Sequence, residues 1–295
     1  MANADFTRIA TNIGALNALN SLRSVNNKLG MHQQRLATGQ RINSAADDPA
    51  GLTIATKLNT RSEGLKQALS NIGDAKSLLS VAESGLSRIN DIMVQMRNKA
   101  EAAASDTLGQ DERDAVVTQL KEFAAQIDDI VEQTEWNDTK LIDGSFNTSS
   151  LTFQTGADKG DTTTLNGLKN MKASDTSNGL NVGSSTTISS SSVTGLNSAS
   201  SAANFASYMD DLSTAMDTVS SQLSKVGSLS ARLTFKEDQI AVAQVNVESS
   251  YNRIMNADMA FEQLEATKFS ILQQTSTTML AQANQAPQGV LSLFR

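Results

Sequence analysis

Few residues in this 295-residue chain could start covalent chemistry: it holds one histidine, His32, and no cysteine. Thiol nucleophiles, disulfides and thiolate metal sites are excluded together. A zinc-protease helix of the HExxH kind needs two histidines, so counting removes that chemistry as well. His32 stands among the helix-favouring residues Met31, Gln33, Gln34 and Arg35, where a lone histidine is far more often structural or on the surface than a ligand. No catalytic residue, cofactor site or metal site is expected, and the chain reads as a non-enzyme. A formal charge of −7 leaves no basic stripe to neutralise phosphates, which argues against nucleic acid as a partner. No apolar run approaches the roughly eighteen residues that a membrane-spanning helix needs, so no membrane partner is expected. The first residues, MANADFTRIATN, are polar where a secretory signal needs an apolar stretch, so export would use another route.

The informative residues are apolar and regularly spaced. Phe205, Leu212, Val219, Val226, Leu233, Ile240, Val247 and Ile254 stand seven apart. An ideal helix drifts away from a strict seven-residue repeat, so a register kept this long predicts a helix packed lengthwise against others. A second row, Leu58, Leu65, Ile72, Leu79, Leu86 and Met93, is accompanied three residues on by Ala68, Ala75, Ala82, Ile89 and Met96. Small Ala at those places lets neighbouring backbones come close. A third row, Val116, Leu120, Phe123, Ile127 and Ile130, supplies another helix. Aromatics at 4% and hydrophobics at 39% suit long, thin helix contacts better than one thick core. The expected fold is mainly α: a long coiled-coil rod formed by the N- and C-terminal segments, with a small β-hairpin region.

Other signals place the elements. Phe6, Ile9, Ile13, Leu16, Leu19, Leu22, Val25 and Leu29 recur at three and four, predicting a helix to Leu36 about 45 Å long. Thr38 to Asn43 reads as a break. Asp48 then caps and Pro49 opens a helix expected to reach Ala104. Ser105 to Gln110 is a turn, and Asp111 and Glu112 suit the positive end of the next helix, which should stop near Trp136. Leu151 to Thr155 alternates, Gly156 to Gly160 turns, and Asp161 to Leu168 could return as a second strand. Gly183 to Ser201 is nearly all small and hydroxylated, too poor in large apolar side chains for a core. Helix resumes at Ala202, and a last stripe (Phe261, Leu264, Ile271, Leu272, Met279, Leu280) runs toward Pro287. The apolar end, including Leu291 and Leu293, predicts a partner.

The terminal helices, about 6–36 and 256–286, carry stripes too narrow to form a core as a pair. Ordering some sixty residues costs about 1–2 kcal/mol each in backbone entropy, so they should be poorly folded alone and fold when other copies cover them.

Arg35-Leu36-Ala37-Thr38-Gly39-Gln40-Arg41-Ile42-Asn43-Ser44-Ala45-Ala46-Asp47-Asp48-Pro49-Ala50-Gly51 resembles the bacterial flagellin pattern RLxxGxRINSAxDDxAG. Ile271-Leu272-Gln273-Gln274, followed by Leu280-Ala281-Gln282-Ala283-Asn284-Gln285 and Val290-Leu291-Ser292-Leu293, resembles the matching flagellin C-terminus. The resemblance covers about residues 5–182 and 203–295. It implies the major subunit of the extracellular flagellar filament, a homopolymer used for swimming, with a minor filament or hook-filament junction protein as the alternative. In that family the terminal helices form an inner domain, D0, here 1–43 and 256–295. The adjoining helices and hairpin form D1, here 44–182 and 202–255, and 183–201 replaces the outer domains D2 and D3.

The resemblance further implies assembly contacts through Ile13, Leu16, Leu22, Leu29, Leu36, Arg41, Asn43, Asp47, Phe261, Leu264, Ile271, Leu272, Leu280, Leu291 and Leu293. Gln274, Gln282 and Gln285, off the apolar stripe, are expected to line the central channel. Implied partners are the flagellar export apparatus with its flagellin chaperone, the filament cap and the hook-filament junction proteins. Flagellins detected by the innate receptor TLR5 carry an Arg and a downstream Glu where this chain has Gln95 and Gln119. Losing those charge-assisted contacts puts recognition in doubt. Family members often carry O-linked sugars, for which Ser184, Ser185, Thr186, Thr187, Ser189, Ser190, Ser191 and Ser192 are the candidates. Asn137 and Asn147 begin N-x-Ser/Thr triplets, a weaker signal.

Overall fold

A computed structural model describes residues 12–174, 180 and 202–292. Among them the chain is mainly helical, in the order α1 (Ile13–Thr38), α2 (Pro49–Ala103), α3 (Gln110–Gln133), β1 (Glu135–Trp136), β2 (Thr139–Lys140), α4 (Ser145–Thr148), β3 (Leu151–Gln154), β4 (Thr162–Leu165), α5 (Ala202–Met255) and α6 (Met259–Ser292). The start expected at Phe6 and the Ser/Thr-rich stretch from Gly183 lie outside the described residues. The chain divides into two compact units, one of residues up to Ser62 and from Val245, the other Glu63–Gln244.

Helix ends follow their capping chemistry. Gly39 closes α1 in the left-handed region (φ 71°), its N–H donating to Arg35 O at 2.8 Å. Asp48 Oδ1 accepts the Gly51 N–H at 2.8 Å, and Pro49, which lacks an N–H, occupies the first helical position. Asp111 and Glu112 sit in the first turn of α3, where the helix dipole favours them.

In the unit of residues 63–244 the seven-residue rows become the core. Leu65, Ile72, Leu79, Leu86 and Met93 of α2 are buried together with Ala68, Ala75, Ala82, Ile89 and Met96. On α5 the buried row is Phe205, Leu212, Val219, Val226, Leu233 and Ile240, flanked by Tyr208, Ala215, Gln222 and Leu229. Burial pushes the Tyr208 hydroxyl pKa far above its ordinary value, with the Asp211 charge adding to the effect. Lys76 of α2 and Glu237 of α5 form an ion pair at 2.8 Å.

Helix α3 corrects one expectation. It buries Val117, Leu120, Ala124, Ile127 and Val131, so three positions are one residue later than the expected Val116, Phe123 and Ile130. Both rows are apolar, and α2 approaches closely: a Cβ on Gly85 would lie 2.6 Å from Thr134 Oγ1. Val116, Phe123 and Ile130 are half-buried beside the buried row.

The expected hairpin is present, with Leu151 opposite Leu165 and Gln154 opposite Thr162, but its second strand ends at Leu165. A shorter hairpin, β1–β2, was not expected. Asn137 and Asp138 both take positive φ (49° and 60°), the two-residue turn whose twist matches that of a hairpin. The chain after β4 is tied down by Gly167 N–H to Phe146 O at 3.0 Å and Met171 N–H to Ile142 O at 2.9 Å. Asp128 Oδ1 accepts from Ala173 N at 2.6 Å.

The other unit has a small core of Ile42, Ala55 and Met255, against which Leu52, Tyr251 and Ile254 pack. Its largest element is the pairing of α1 with α6. The sequence led us to expect that α6 would stop before Pro287, whereas the helix continues to Ser292.

Candidate assembly surface

The segment between α1 and α2 is locked by its own polar groups. Asp47 Oδ2 accepts from the Asn43 N–H at 3.1 Å, the Ser44 N–H at 2.9 Å and the Ser44 hydroxyl at 3.1 Å. These bonds, the Ser44 backbone first, hold the Asp47 carboxyl below the usual carboxylate range, and the Arg35 charge adds to them. Asn43 Nδ2 donates to Gln40 O at 2.9 Å. Arg41 Nη2 donates to Ile254 O at 3.0 Å, and the Arg41 and Ala257 backbone amides donate to Met255 O and Gly39 O. Arg41 thus ties the α1–α2 break to the end of α5, while Asn43 and Asp47 brace the α1–α2 turn itself.

The α1–α6 pair has a polar centre. His32 Nδ1 donates to Glu262 Oε2, Arg35 Nη1 lies 3.4 Å from Glu262 Oε1, and the His32 ring stacks on Phe269 with centroids 5.3 Å apart. Further along, Gln273 Nε2 donates to Asn26 Oδ1 at 2.8 Å and Asn12 Nδ2 donates to Ala283 O at 2.7 Å. His32 is the buried residue of α1; Glu262 and Ala266 are buried on α6.

The apolar stripe looks away from that seam. Ile13 (51%), Leu16 (55%), Phe261 (57%), Leu264 (61%), Ile271 (59%) and Met279 (61%) are exposed, as is Leu272. Leu22, Leu29, Leu36 and Leu280 are half-buried. Leu291 lies in the last turn of α6, and Leu293 is outside the described residues, as are Ser184 to Ser192. Gln274, Gln282 and Gln285 are exposed and fall within about 80° of one another around α6. Gln282 follows Leu264 by about five helical turns and so falls on the apolar stripe, whereas Gln274 and Gln285 lie to one side of it.

Sequence reasoning missed the seam residues Asn12, Glu262 and Phe269, whose partners across the seam are more than 200 positions away; only Asn12, as the N-cap of α1, left a local signal. It also missed exposed Phe235 and Val242 on α5. Gln95 and Gln119 are both exposed. Among the described residues no helix is long and apolar enough to cross a membrane.

Comparison with known proteins bears on what such a surface is for. The profile of the bacterial flagellin N-terminal helical region matches residues 9–147, and that of the C-terminal helical region matches 209–294. The chain is 34% identical to a flagellin of Bacillus subtilis, covering 98% of this chain and 100% of that one. It is 30% identical to a flagellin of Listeria innocua, covering 97% and 99%, and 29% identical to a flagellar filament 33 kDa core protein of Treponema phagedenis, covering 96% and 98%. Among solved structures, one described as a flagellar hook-associated protein from Vibrio parahaemolyticus superposes with a TM-score of 0.57 at 16% identity, over 71% of this chain and all of that one. This last likeness is one of fold alone. With both terminal regions matched and full-length relatives at 30% identity or above, the chain belongs to the bacterial flagellin family, the structural subunits of the flagellar filament.

Proposed function

We propose that this filament subunit polymerises outside the cell, for swimming, through its paired terminal helices. The observation that carries the reading is the α1–α6 pair, which buries little besides its polar seam and leaves Phe261, Leu264, Ile271 and Met279 more than half exposed. A row of large apolar residues on a helix pair is the surface that further copies of the chain would cover. In sequence, Leu291 and Leu293 carry the apolar character on to the last residues. Gln274 and Gln285, polar and uncharged, suit a channel wall that holds an unfolded passenger weakly; Gln282, in line with Leu264, suits a subunit contact better.

Electron microscopy of material sheared from cells, with hydrogen exchange on the same protein, tests the reading. Filaments built of this chain are expected, with amides of residues 13–36 and 260–286 exchanging freely in dilute monomer and protected in the polymer. Strong protection in the monomer would count against assembly-coupled folding. A minor or hook-filament junction protein would appear as a small fraction of the sheared material rather than its bulk.

Export through the channel, with a chaperone holding the apolar end and a cap at the growing tip, belongs to the same reading. Deleting Leu291 to Arg295 should then stop filament growth. With Gln95 and Gln119 in place of charged groups, a TLR5 reporter should respond weakly, and Q95R with Q119E should raise the response. Sugars, where present, should sit on Ser184 to Ser192, and an intact mass equal to the bare polypeptide would remove them.

A further inference from the structure

Pro287 lies inside α6, which continues to Ser292. A proline has no N–H, so the carbonyl four residues earlier, that of Ala283, loses its helical donor. Helices commonly end or kink at such a point. Here Ala283 O accepts from Asn12 Nδ2 at 2.7 Å, across a sequence separation of 271. The other end of the same amide, Asn12 Oδ1, accepts from the Ala15 N–H at 2.9 Å and caps α1. The amide orientation follows from its surroundings: flipped, it would set oxygen against a carbonyl oxygen and NH2 against an N–H.

We propose that Asn12 splices the two terminal helices. Its side chain caps α1 and at the same time supplies the donor that Pro287 withholds from α6, so that α6 continues past Ala283 only when α1 is seated beside it. Neither half of this device works alone. Without Pro287 the carbonyl has its own donor, and without α1 in place the carbonyl competes for water and the helix ends near Ala283. The helical state of the backbone at Val290 and Leu291, near the chain's apolar end, is thereby made conditional on the docking of its other end. The inference rests on the assembly reading only for the state in which it is measured.

The test is a two-by-two comparison of full-length chains: native, N12D, P287A and the double variant. An aspartate keeps the oxygen that caps Ala15 but has no N–H to give to Ala283. In P287A, residue 287 regains an N–H for Ala283 O. Hydrogen exchange at amides 288–292 is read in polymerised protein. N12D is expected to speed exchange there roughly five- to tenfold in the proline background, the worth of one net hydrogen bond, and less than about twofold in P287A. The charge that N12D adds at the start of α1 acts in both backgrounds and cancels in the cycle. N12S, which also retains a capping oxygen, should behave as N12D does. Equal acceleration in both backgrounds, or none in either, would overturn the proposal and leave Asn12 as a helix cap. If the native chain forms no filaments the assembly reading fails instead, and the same four-way comparison is read on the monomer.

Discussion

His32 of α1 and Glu262 of α6 are hydrogen-bonded with side chains only 9% and 5% exposed, so the most enclosed contact of the terminal helix pair is polar. Glu262 also carries Arg35 on its second oxygen, and the His32 ring that donates to it is stacked on Phe269. An arrangement of this kind fixes how the two helices meet, because sliding either by one turn would strand a buried carboxylate.

Glu262→Ala removes the carboxylate and leaves His32 and Arg35 without that partner. It should weaken the helix pairing by about 1–3 kcal/mol, seen as a lower depolymerisation temperature of filaments. Glu262→Gln, which retains one acceptor oxygen, should lose less. Equal depolymerisation temperatures for the native chain and Glu262→Ala would show that the seam is not under load.

Asp47 makes acid sensitivity predictable at the α1–α2 turn. Its carboxyl pKa is lowered by the bonds from Ser44 and Asn43. A depressed pKa contributes stability that is present above the unfolded value, about 3.9, and is lost as pH falls through the lower folded value. On this account native protein should be steady between about pH 5 and 8 and lose the contribution below about pH 4. Asp47→Asn should be less stable than native at neutral pH, with the gap closing in acid. Thermal melting across pH measures it; a gap that widens in acid would contradict the sign.

Much of the fold was legible because it is periodic. Leu65, Ile72 and Leu79 on α2, and Leu212, Val219 and Val226 on α5, repeat at seven in the sequence and are buried at seven in the structure. Asp48 and Pro49 marked a helix start by local chemistry alone. What stayed hidden depended on partners distant in sequence or on a choice between two equally apolar faces. Val117, Ala124 and Val131 are buried where Val116, Phe123 and Ile130 were expected, and both rows are apolar, so local spacing did not separate them. The passage of α6 through Pro287 rests on Asn12, and buried Glu262 is explained only by His32 and Arg35 of α1. Arg41, Asn43 and Asp47, prominent in the motif, turned out to hold the chain's own backbone at a junction.

The closeness of α2 to the end of α3 gives a packing prediction. A Cβ on Gly85 would meet Thr134 Oγ1 at 2.6 Å and Cγ2 at 2.9 Å. Thr134 has little freedom to yield, since its hydroxyl donates to Ile130 O at 2.6 Å and its side chain is buried. Gly85→Ala should therefore destabilise by about 1–3 kcal/mol from overpacking, despite the better helix propensity of alanine. Thermal unfolding of the full chain reads the loss, and adding Thr134→Ala should recover part of it. A gain in stability from Gly85→Ala would mean that the two helices separate at little cost.

Gln222 is the odd member of the α5 core. It is 2% exposed, stands seven residues after Ala215 and seven before Leu229, and its Oε1 has no hydrogen-bond partner. A buried acceptor left without a donor costs about 1–3 kcal/mol, so Gln222→Leu, of similar volume, should raise the unfolding temperature. Polar residues at such positions are retained in coiled coils where they fix register, and that role makes a second, separate forecast. If Gln222 selects one register, Gln222→Leu should broaden the amide spectrum of the chain while stabilising it. A sharp, native-like spectrum with higher stability would assign register to the surrounding row alone, and a loss of stability would show that Oε1 is satisfied by a water held inside the core.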